Sequence, residues 1–332
     1  MEAIFKDNNR QVWIDIAKAI AIIAVIIGHT IPAYSMLSKF IYLFHMPLFF
    51  LISGYLFNFK KYEQSLGGYI ISCAKRLLLP CVVTILVFYN FNYIISNVYV
   101  FLYASPININ VFGQPIEPIQ LSMWFLFCLF LTKIILYFFL KILKHYNIGT
   151  FIGIILSFMV CLAGVKLGEN IKLPWSLDVA MVGFYISYVG YIMRESKFFN
   201  AGKFIHVTLA IIFLILGYID YKYFGLSMAY RIYTNPFISI NAAIGISILF
   251  FYFSILLEKM KQHKITNKLI YFVSYIGVNS IIIMLAHGLV PYVTNYMKTI
   301  ILRIAISLII VEIIARIPHV KNIFGAKGIR YQ

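Results

Sequence analysis

Charged residues are scarce in this sequence. Only 12% of its 332 residues are Asp, Glu, Lys or Arg, whereas 62% are hydrophobic, and the mean hydropathy is +0.89. A soluble domain of average composition carries about 25% charged residues, so this composition excludes an ordinary soluble protein. No stretch is polar enough to form a separate soluble domain. We therefore predict a single membrane domain over residues 1–332.

Acidic residues are the rarest of the charged ones: 11 Asp and Glu stand against 28 Lys and Arg, for a net charge of +17. A charge of this sign also suits a nucleic-acid-binding protein. The basic residues, however, form short clusters between apolar runs, as they do at the cytoplasmic ends of membrane helices. We therefore expect membrane lipid, and no nucleic acid, as a partner of this chain.

Cysteine is also rare, and several catalytic motifs are missing. The four cysteines lie in or beside apolar runs without the spacing of metal ligands, so the sequence predicts neither a disulfide framework nor a metal site. They are Cys73, Cys81, Cys128 and Cys161. The sequence contains no G-x-S-x-G, P-loop or H-E-x-x-H motif, which leaves a serine hydrolase, an NTP-driven motor and a zinc protease without local support.

Long apolar runs are the feature that is present in abundance. Runs of about 17–25 residues are long enough to cross a bilayer as helices. The first run contains Asp15 and Lys18 and lacks a small-residue cleavage site, so it predicts a transmembrane helix rather than a signal peptide. We predict an all-α, polytopic membrane protein with about ten helices, near residues 13–34, 40–57, 77–101, 121–140, 149–165, 177–193, 204–221, 236–257, 269–292 and 299–317.

The distribution of basic residues predicts the orientation of these helices. Ten spans place both termini on one side. If that side is the cytoplasm, nineteen Lys and Arg fall in cytoplasmic segments and seven in outer segments. Basic residues accumulate in cytoplasmic loops, so we predict N-in and C-in topology for a multi-pass protein of a bacterial inner membrane.

Three ionisable side chains lie in the first apolar run: Asp15, Lys18 and His29. Such groups are costly within a bilayer unless they are paired or face a cavity. Lys18 and His29 are eleven residues apart, which places them on one helix face about 16 Å apart along the axis. Asp15 and Lys18 can also form a simple interfacial pair with a snorkelling lysine, and His29 can be a hydrogen-bonded packing residue.

Two further histidines lie in polar or kinked contexts within apolar runs. His45 precedes a Met-Pro pair, and Ser53 follows on the same predicted helix. His287 shares a helix face with Ser280, and Asn279 is adjacent. Three histidines of this kind favour a polar cavity, and imidazole is suited to proton transfer because its unperturbed pKa is about 6.5. The ninth run can be kinked at Gly288 or Pro291.

Six segments in order along the chain form a pattern that can be compared with known families. They are RQVWIDIAKAIAIIAVIIGH (10–29), FIYLFHMPLFFLISGYLF (40–57), KRLLLP (75–80), MWFLFCLF (123–130), SYVGYIM (187–193) and IGVNSIIIMLAH (276–287). In the first segment, ten residues separate Lys18 from His29. Together the segments resemble the acyltransferase-3 family of integral membrane O-acyltransferases, in which a basic residue and a histidine have this spacing.

The resemblance implies a donor, an acceptor class and a catalytic base. The donor is acetyl-CoA, which enters from the cytoplasm, and the acceptor is a hydroxyl of a cell-envelope glycan or of its lipid-linked sugar precursor. His29 matches the base. By the same resemblance, Lys18 and Asp15 help to position the donor or to organise the tunnel below His29. Lys75 and Arg76 match a basic patch before the third helix that meets the phosphates of CoA.

The match has one departure. The family often carries two arginines separated by two residues before the third helix, and Cys73 stands where the first is expected. His45, Trp124, Asn279 and His287 match family positions without an assigned role, and a tryptophan near a helix end also suits an interfacial anchor.

Two other functions stay open from the residues alone. A transporter or exporter of a small metabolite or glycan also uses many helices and histidines near the bilayer midplane. A polymerase or ligase of envelope glycans also has many helices and a basic charge. The long outer loop at about 102–120 contains no arginine, which disfavours the polymerase. The sequence does not distinguish the acceptor glycans from one another.

Overall fold

The computed structural model of this chain describes residues 10–33, 35–88, 94, 98–111, 114–117, 119, 122–200, 202–223, 225–262 and 264–328. Most of this part of the chain is helical. The helices are α1 (Val12–Gly28), α2 (Met36–Tyr55), α3 (Phe59–Tyr62), α4 (Leu66–Phe88), α5 (Val98–Tyr103), α6 (Trp124–His145), α7 (Thr150–Asn170), α8 (Leu177–Glu195), α9 (Lys203–Tyr223), α10 (Pro236–Lys259), α11 (Lys264–Val278), α12 (Ser280–Ala286), α13 (Tyr296–Arg316) and α14 (Pro318–Phe324).

The strands form two short antiparallel hairpins. Strand β1 (Ile109–Val111) pairs with β2 (Gln114–Ile116) inside the long loop before α6. Strand β3 (Leu226–Ser227) pairs with β4 (Ile232–Tyr233) between α9 and α10. These hairpins are too short to form a core of their own, so the predicted all-α class is confirmed.

Seven helices in the described ranges are long and apolar enough to cross a membrane, and the bent pair α11–α12 makes up to eight. Two predicted runs correspond to helices outside this set: α1 has 17 residues, and α13 contains Arg303 and Glu312 among its charged side chains. The multi-pass membrane class is confirmed, whereas the count of ten and the orientation stay predictions. Lys6 and Arg330, which contribute to the orientation, lie outside the described residues.

The third helix begins earlier than predicted. The apolar run suggested residues 77–101, but α4 begins at Leu66 and ends at Phe88. Lys75 and Arg76 therefore lie within the helix rather than before it, and both are exposed. Lys and Arg are good helix formers, so the helix can begin several residues before its apolar run starts. The sequence predicted that this helix ends near residue 101. Residues 89–93 and 95–97, which lie between Phe88 and that position, are outside the described residues.

The ninth predicted helix is bent by 65° between α11 and α12. The bend lies at Asn279, and not at Gly288 or Pro291 as the sequence suggested. The Asn279 amide donates to the carbonyl of Tyr275 at 3.0 Å, and it also exchanges two hydrogen bonds with the backbone of Lys327, at 2.9 and 3.1 Å. A side chain that bonds backbone groups in this way competes with the helix and permits a break.

The chain forms two compact units, Met1–Phe49 with Ala242–Gln332 and Phe50–Asn241. In the first unit, α1 packs closely on α11 where Gly277 meets the backbone of Asp15. A Cβ atom at position 277 would lie 1.7 Å from the carbonyl oxygen of Asp15. Only glycine permits this approach, which brings the polar end of α1 against α11.

In the second unit, the C-terminal half of α2 packs on α8 through small residues. A Cβ atom at Gly54 would lie 1.7 Å from the carbonyl oxygen of Ser187, and one at Gly190 would lie 2.2 Å from that of Leu51. The Ser187 hydroxyl donates to the carbonyl of Phe50 at 2.8 Å. Small residues let helix backbones approach closely in membrane proteins, and here they hold the part of α2 that carries Ser53.

A buried ion pair joins the first turn of α8 to the β3–β4 hairpin in the second unit. Arg231 donates from Nε to Asp178 at 2.6 Å and from Nη2 to the other carboxylate oxygen at 3.3 Å. The two side chains are only 4% and 1% exposed. Trp175, Ser176 and Arg231 all have positive φ angles, between 52° and 57°. The fork geometry of arginine suits such a two-point contact.

Candidate active site

Three histidines of the first unit, His29, His45 and His287, interact with one another, and they differ sharply in exposure. His29 is exposed and caps the C-terminal end of α1, whereas His287 is 1% and His45 is 3% exposed. Nδ1 of His29 lies 3.0 Å from Nε2 of His287. His45 lies within electrostatic range of His29. His29 is thus the member of the group that a substrate can reach.

Backbone carbonyls orient the two buried imidazole rings. Nδ1 of His287 lies 3.2 Å from the carbonyl oxygen of Ile283, and Nδ1 of His45 lies 2.7 Å from that of Ile41. Each contact joins a residue to the carbonyl one helical turn before it. The Tyr42 ring adds an edge contact to His45, with centroids 5.0 Å apart. Both rings are therefore held by local structure.

Arg303 of α13 fixes the backbone beside His29. Its Nη1 donates to the carbonyl oxygen of His29 and to the hydroxyl of Thr30, both at 2.9 Å, and its Nε donates to the carbonyl of Val290 at 3.1 Å. A cation at the C-terminal end of a helix is favoured by the helix dipole. Arg303 therefore links the end of α1 to the segment that follows His287.

The N-terminal end of α1 carries a second charged group. Asp15 accepts from Nε of Arg10 at 2.7 Å and from Nζ of Lys18 at 3.4 Å. The Asp15 side chain is 6% exposed, whereas that of Lys18 is 25% exposed. The backbone N–H of Val12 donates to Glu258 at 3.2 Å. The expected Asp15–Lys18 pair is present, and Arg10 is a partner that the sequence did not indicate.

Asn279 and Ser280 lie at the N-terminal end of α12, whereas His287 caps the C-terminal end of the same helix. The Asn279 amide bonds the backbone at the α11–α12 bend, so it is placed as a clamp for the segment that follows α14. Ser280 is the first residue of α12 and is 8% exposed. The Asn279 amide bonds the backbone of Tyr275 and Lys327 rather than His29, and the assignment of Asn279 and Ser280 as cavity-lining residues stays a prediction.

Ser53 and Trp124 belong to the second unit and are both buried. Ser53 is 7% exposed, and no hydrogen-bond partner for its hydroxyl lies within the described residues. Trp124 is the first residue of α6 and is 5% exposed, with its ring edge-on to Phe125. A buried tryptophan does not fit an interfacial anchor, because such anchors face the headgroup region.

Exposed basic residues gather on α3 and α4 of the second unit. We call Lys60, Lys61, Lys75 and Arg76 the basic cluster; all four are exposed. The Tyr62 hydroxyl lies 3.4 Å from that of Ser72, and this hydrogen bond, together with the charges of Lys61 and Arg76, lowers the pKa of Tyr62. Cys73, by contrast, is 6% exposed. The surface therefore offers cations and hydroxyls suited to phosphate groups.

Comparison with known proteins decides the family. A family model described as an acyltransferase domain matches residues 11–317, nearly the whole chain. The chain belongs to the acyltransferase-3 family. Its segment order along α1, α2, α4, α6, α8 and α11–α12 is therefore that of a membrane acyltransferase. Within the described ranges, no group of three or more His, Cys, Asp or Glu side chains is arranged to hold a metal ion.

Two curated proteins are similar to part of this chain. The nodulation protein NolL of Mesorhizobium japonicum is 41% identical over 83 aligned positions, and that of Sinorhizobium fredii is 37% identical over 83. Each alignment covers 22% of this chain and 22% or 23% of the relative, so the chain spans less than a quarter of the length of these relatives. No solved structure gives a significant match.

Sequence reasoning missed two cations of the first unit. Arg303 lies within the last apolar run, where an ionisable residue is a functional candidate by default, but the sequence placed it with the outer basic residues. Arg10 opens the first family segment, and nothing in the sequence pairs it with Asp15 rather than with lipid. The position of Arg303 within an apolar run could have identified it as a candidate from the sequence. The pairing of Arg10 with Asp15 could be seen only in the tertiary structure.

Proposed function

We propose that this chain is a membrane O-acyltransferase that moves an acetyl group from acetyl-CoA to a hydroxyl of a cell-envelope glycan or of its lipid-linked precursor. The observation that carries the proposal is the exposed imidazole of His29 at the end of α1, in contact with the buried His287, in a chain of the acyltransferase-3 family. Family membership supports acyl transfer, and the acetyl group and the glycan are the proposed details.

His29 acts as the general base in the proposed reaction. Its imidazole takes the proton of the acceptor hydroxyl as the hydroxyl oxygen attacks the thioester carbonyl carbon. The carbon–sulfur bond then breaks, the acyl group stays on the acceptor oxygen, and the thiolate of CoA takes the proton back from His29. General acid–base catalysis of this kind contributes about 10²–10⁴-fold to a rate, and it needs an imidazole that the acceptor can touch.

In this proposal the basic cluster binds the phosphates of the donor, and Lys18 is a separate donor-positioning residue on α1. CoA carries several phosphate groups, and charge-assisted hydrogen bonds from Lys and Arg are the usual way to bind them. Arg76 and Lys75 are exposed on α4, and Tyr62 and Ser72 add hydroxyls beside them. Lys18 keeps a partly exposed ammonium group while Asp15 is compensated by Arg10. Asp15 thus orients Lys18 without cancelling the local positive charge.

The proposed orientation places both termini in the cytoplasm. Lys18, near the N-terminal end of α1, then lies towards the cytoplasm, and the C-terminal end of α1, with His29, faces the outer half of the bilayer. The excess of basic residues in the predicted cytoplasmic segments supports this orientation. The proposal includes α1, α13 and the α11–α12 pair among ten crossings, since each overlaps a predicted apolar run.

An acetylation assay tests the proposal. The full chain is reconstituted in lipid nanodiscs with radiolabelled acetyl-CoA and octyl glucoside, a simple glycolipid with sugar hydroxyls. We expect acetylated octyl glucoside by mass spectrometry and release of free CoA thiol. A metabolite exporter would label no acceptor, and envelope glycans from cells with and without the protein would then carry the same acetyl content. Either of those results contradicts acyl transfer to a glycan.

A further inference from the structure

We infer that His287 is a positioning residue that fixes the tautomer of His29, so that Nε2 of His29 carries the lone pair that receives the acceptor's proton. This inference deepens the proposed function and rests on it. It assigns a role to a buried histidine that does not itself meet substrate, and it explains why two histidines from distant parts of the chain lie 3.0 Å apart.

The chain of hydrogen bonds begins at a backbone carbonyl. The Ile283 oxygen can only accept, and it lies 3.2 Å from Nδ1 of His287. That nitrogen must therefore carry the hydrogen. A neutral imidazole with its hydrogen on Nδ1 has its lone pair on Nε2, so Nε2 of His287 is an acceptor.

The contact between the two histidines fixes which nitrogen of His29 donates and which accepts. Nε2 of His287 faces Nδ1 of His29, and the two rings are tilted by 33° with centroids 5.2 Å apart. Because Nε2 of His287 accepts, Nδ1 of His29 must donate. The lone pair of His29 is then on Nε2, the nitrogen that does not face His287. The hydrogen bond made by one ring nitrogen decides what the other can do.

Among the three histidines, His29 is the one at the accessible end of this series of hydrogen bonds. His287 is 1% exposed, so an acceptor hydroxyl does not reach it. His45 makes a similar carbonyl contact with Ile41 but is 3% exposed. Arg303 donates to the carbonyl of His29 at 2.9 Å and so fixes the backbone that carries the ring. Of these three histidines, His29 is the one that combines a fixed tautomer with exposure to a substrate.

Protons balance without any transfer to His287. When Nε2 of His29 takes the hydroxyl proton, the ring becomes an imidazolium whose Nδ1–H still points at His287. A charged donor makes a stronger hydrogen bond than a neutral one, so His287 stabilises this form more than the resting form. His29 then gives the Nε2 proton to the CoA thiolate, and His287 keeps its own proton throughout.

Two amide substitutions at position 287 separate this role from simple packing. The amide of His287→Gln reaches the place of Nε2, so its oxygen can accept from His29. The amide of His287→Asn ends near the place of Nδ1, so it can keep the contact with Ile283 and offers His29 no acceptor. The variants differ by one methylene group, and both are measured as full chains in nanodiscs with acetyl-CoA and octyl glucoside, beside wild type and His287→Ala.

We expect kcat to fall on the order of 10²-fold in His287→Asn and His287→Ala, and to stay within about tenfold of wild type in His287→Gln. The apparent KM for acetyl-CoA should be unchanged in all three. Size-exclusion chromatography and thermal unfolding establish that the two amide variants fold equally well. If His287→Asn is as active as His287→Gln, the positioning role is wrong. If wild type itself transfers no acetyl group, the proposed function fails and the positioning role fails with it.

Discussion

Nδ1 of His29 lies 3.0 Å from Nε2 of His287, although the two residues are 258 positions apart in the sequence. One ring is exposed and the other is almost fully buried. An exposed imidazole that is supported from behind by a buried hydrogen-bonding group is the arrangement of a general base and its orienting partner. The predictions on activity follow from this relationship and from the basic cluster.

Replacing His29 with alanine should abolish acyl transfer. The base supplies about 10²–10⁴-fold in rate, and His29 is exposed rather than part of the packed core, so insertion and folding should be unchanged. Thiol release from acetyl-CoA and acetylation of octyl glucoside measure the loss. His145→Ala, at the exposed end of α6, is the matched control and should keep full activity. Substantial residual activity in His29→Ala would remove His29 from the chemistry.

Replacing Arg76 with alanine should weaken donor binding. A hydrogen bond to a charged group contributes about 1.5–3 kcal/mol, which corresponds to an increase of roughly tenfold to a hundredfold in KM for acetyl-CoA. The kcat should change little, because the role proposed for Arg76 is to bind the donor's phosphates and not the thioester. Lys141→Ala serves as the control, because it also removes an exposed basic residue but from a different helix, α6. An unchanged KM would contradict the phosphate-binding role of Arg76.

Replacing Gly277 with alanine should disrupt the packing of α1 on α11. The new Cβ would lie 1.7 Å from the carbonyl oxygen of Asp15, a backbone atom that cannot move without shifting the helix. We expect a lower yield of monodisperse protein and a lower thermal unfolding midpoint. Gly67→Ala is the control, since nothing lies within 4 Å of its Cβ position, and it should be neutral or slightly stabilising. Equal midpoints for the two variants would contradict the close approach.

Removing one partner of the Asp178–Arg231 pair should destabilise the second unit. Both side chains are almost fully buried, and an unpaired buried charge costs about 3–5 kcal/mol. Asp178→Ala and Arg231→Ala should each lower the thermal midpoint strongly. The double variant should lose less than the sum, because it leaves no buried charge. Additive losses across this cycle would show that the two side chains do not interact.

The sequence by itself determined the class of the protein. Hydropathy sums the transfer free energies of neighbouring residues, so apolar runs predict membrane helices without knowledge of their contacts. The same local information placed Asp15 one turn from Lys18, because a single helix fixes that spacing. The six family segments also identified the family and pointed to His29 before any coordinate was known.

Local information also set the limits of these predictions. An apolar run marks what the bilayer can cover and not where a helix begins, so α4 starts eleven residues before its predicted start. The α11–α12 bend was predicted at the wrong residues because its cause is distant: Asn279 bonds the backbone of Lys327, 48 residues away. Glycine and proline are local signals for a kink, whereas a side-chain clamp is not.

Only the tertiary structure decided which polar groups meet. The contacts of His29 with His287 and of Arg303 with the His29 carbonyl depend on how α12 and α13 pack against the end of α1. Packing fixes the rotation and depth of each helix, and neither quantity can be calculated from the sequence of that helix alone. Three separate histidines in the sequence thus become one exposed residue, its buried hydrogen-bonding partner and one neighbouring ring.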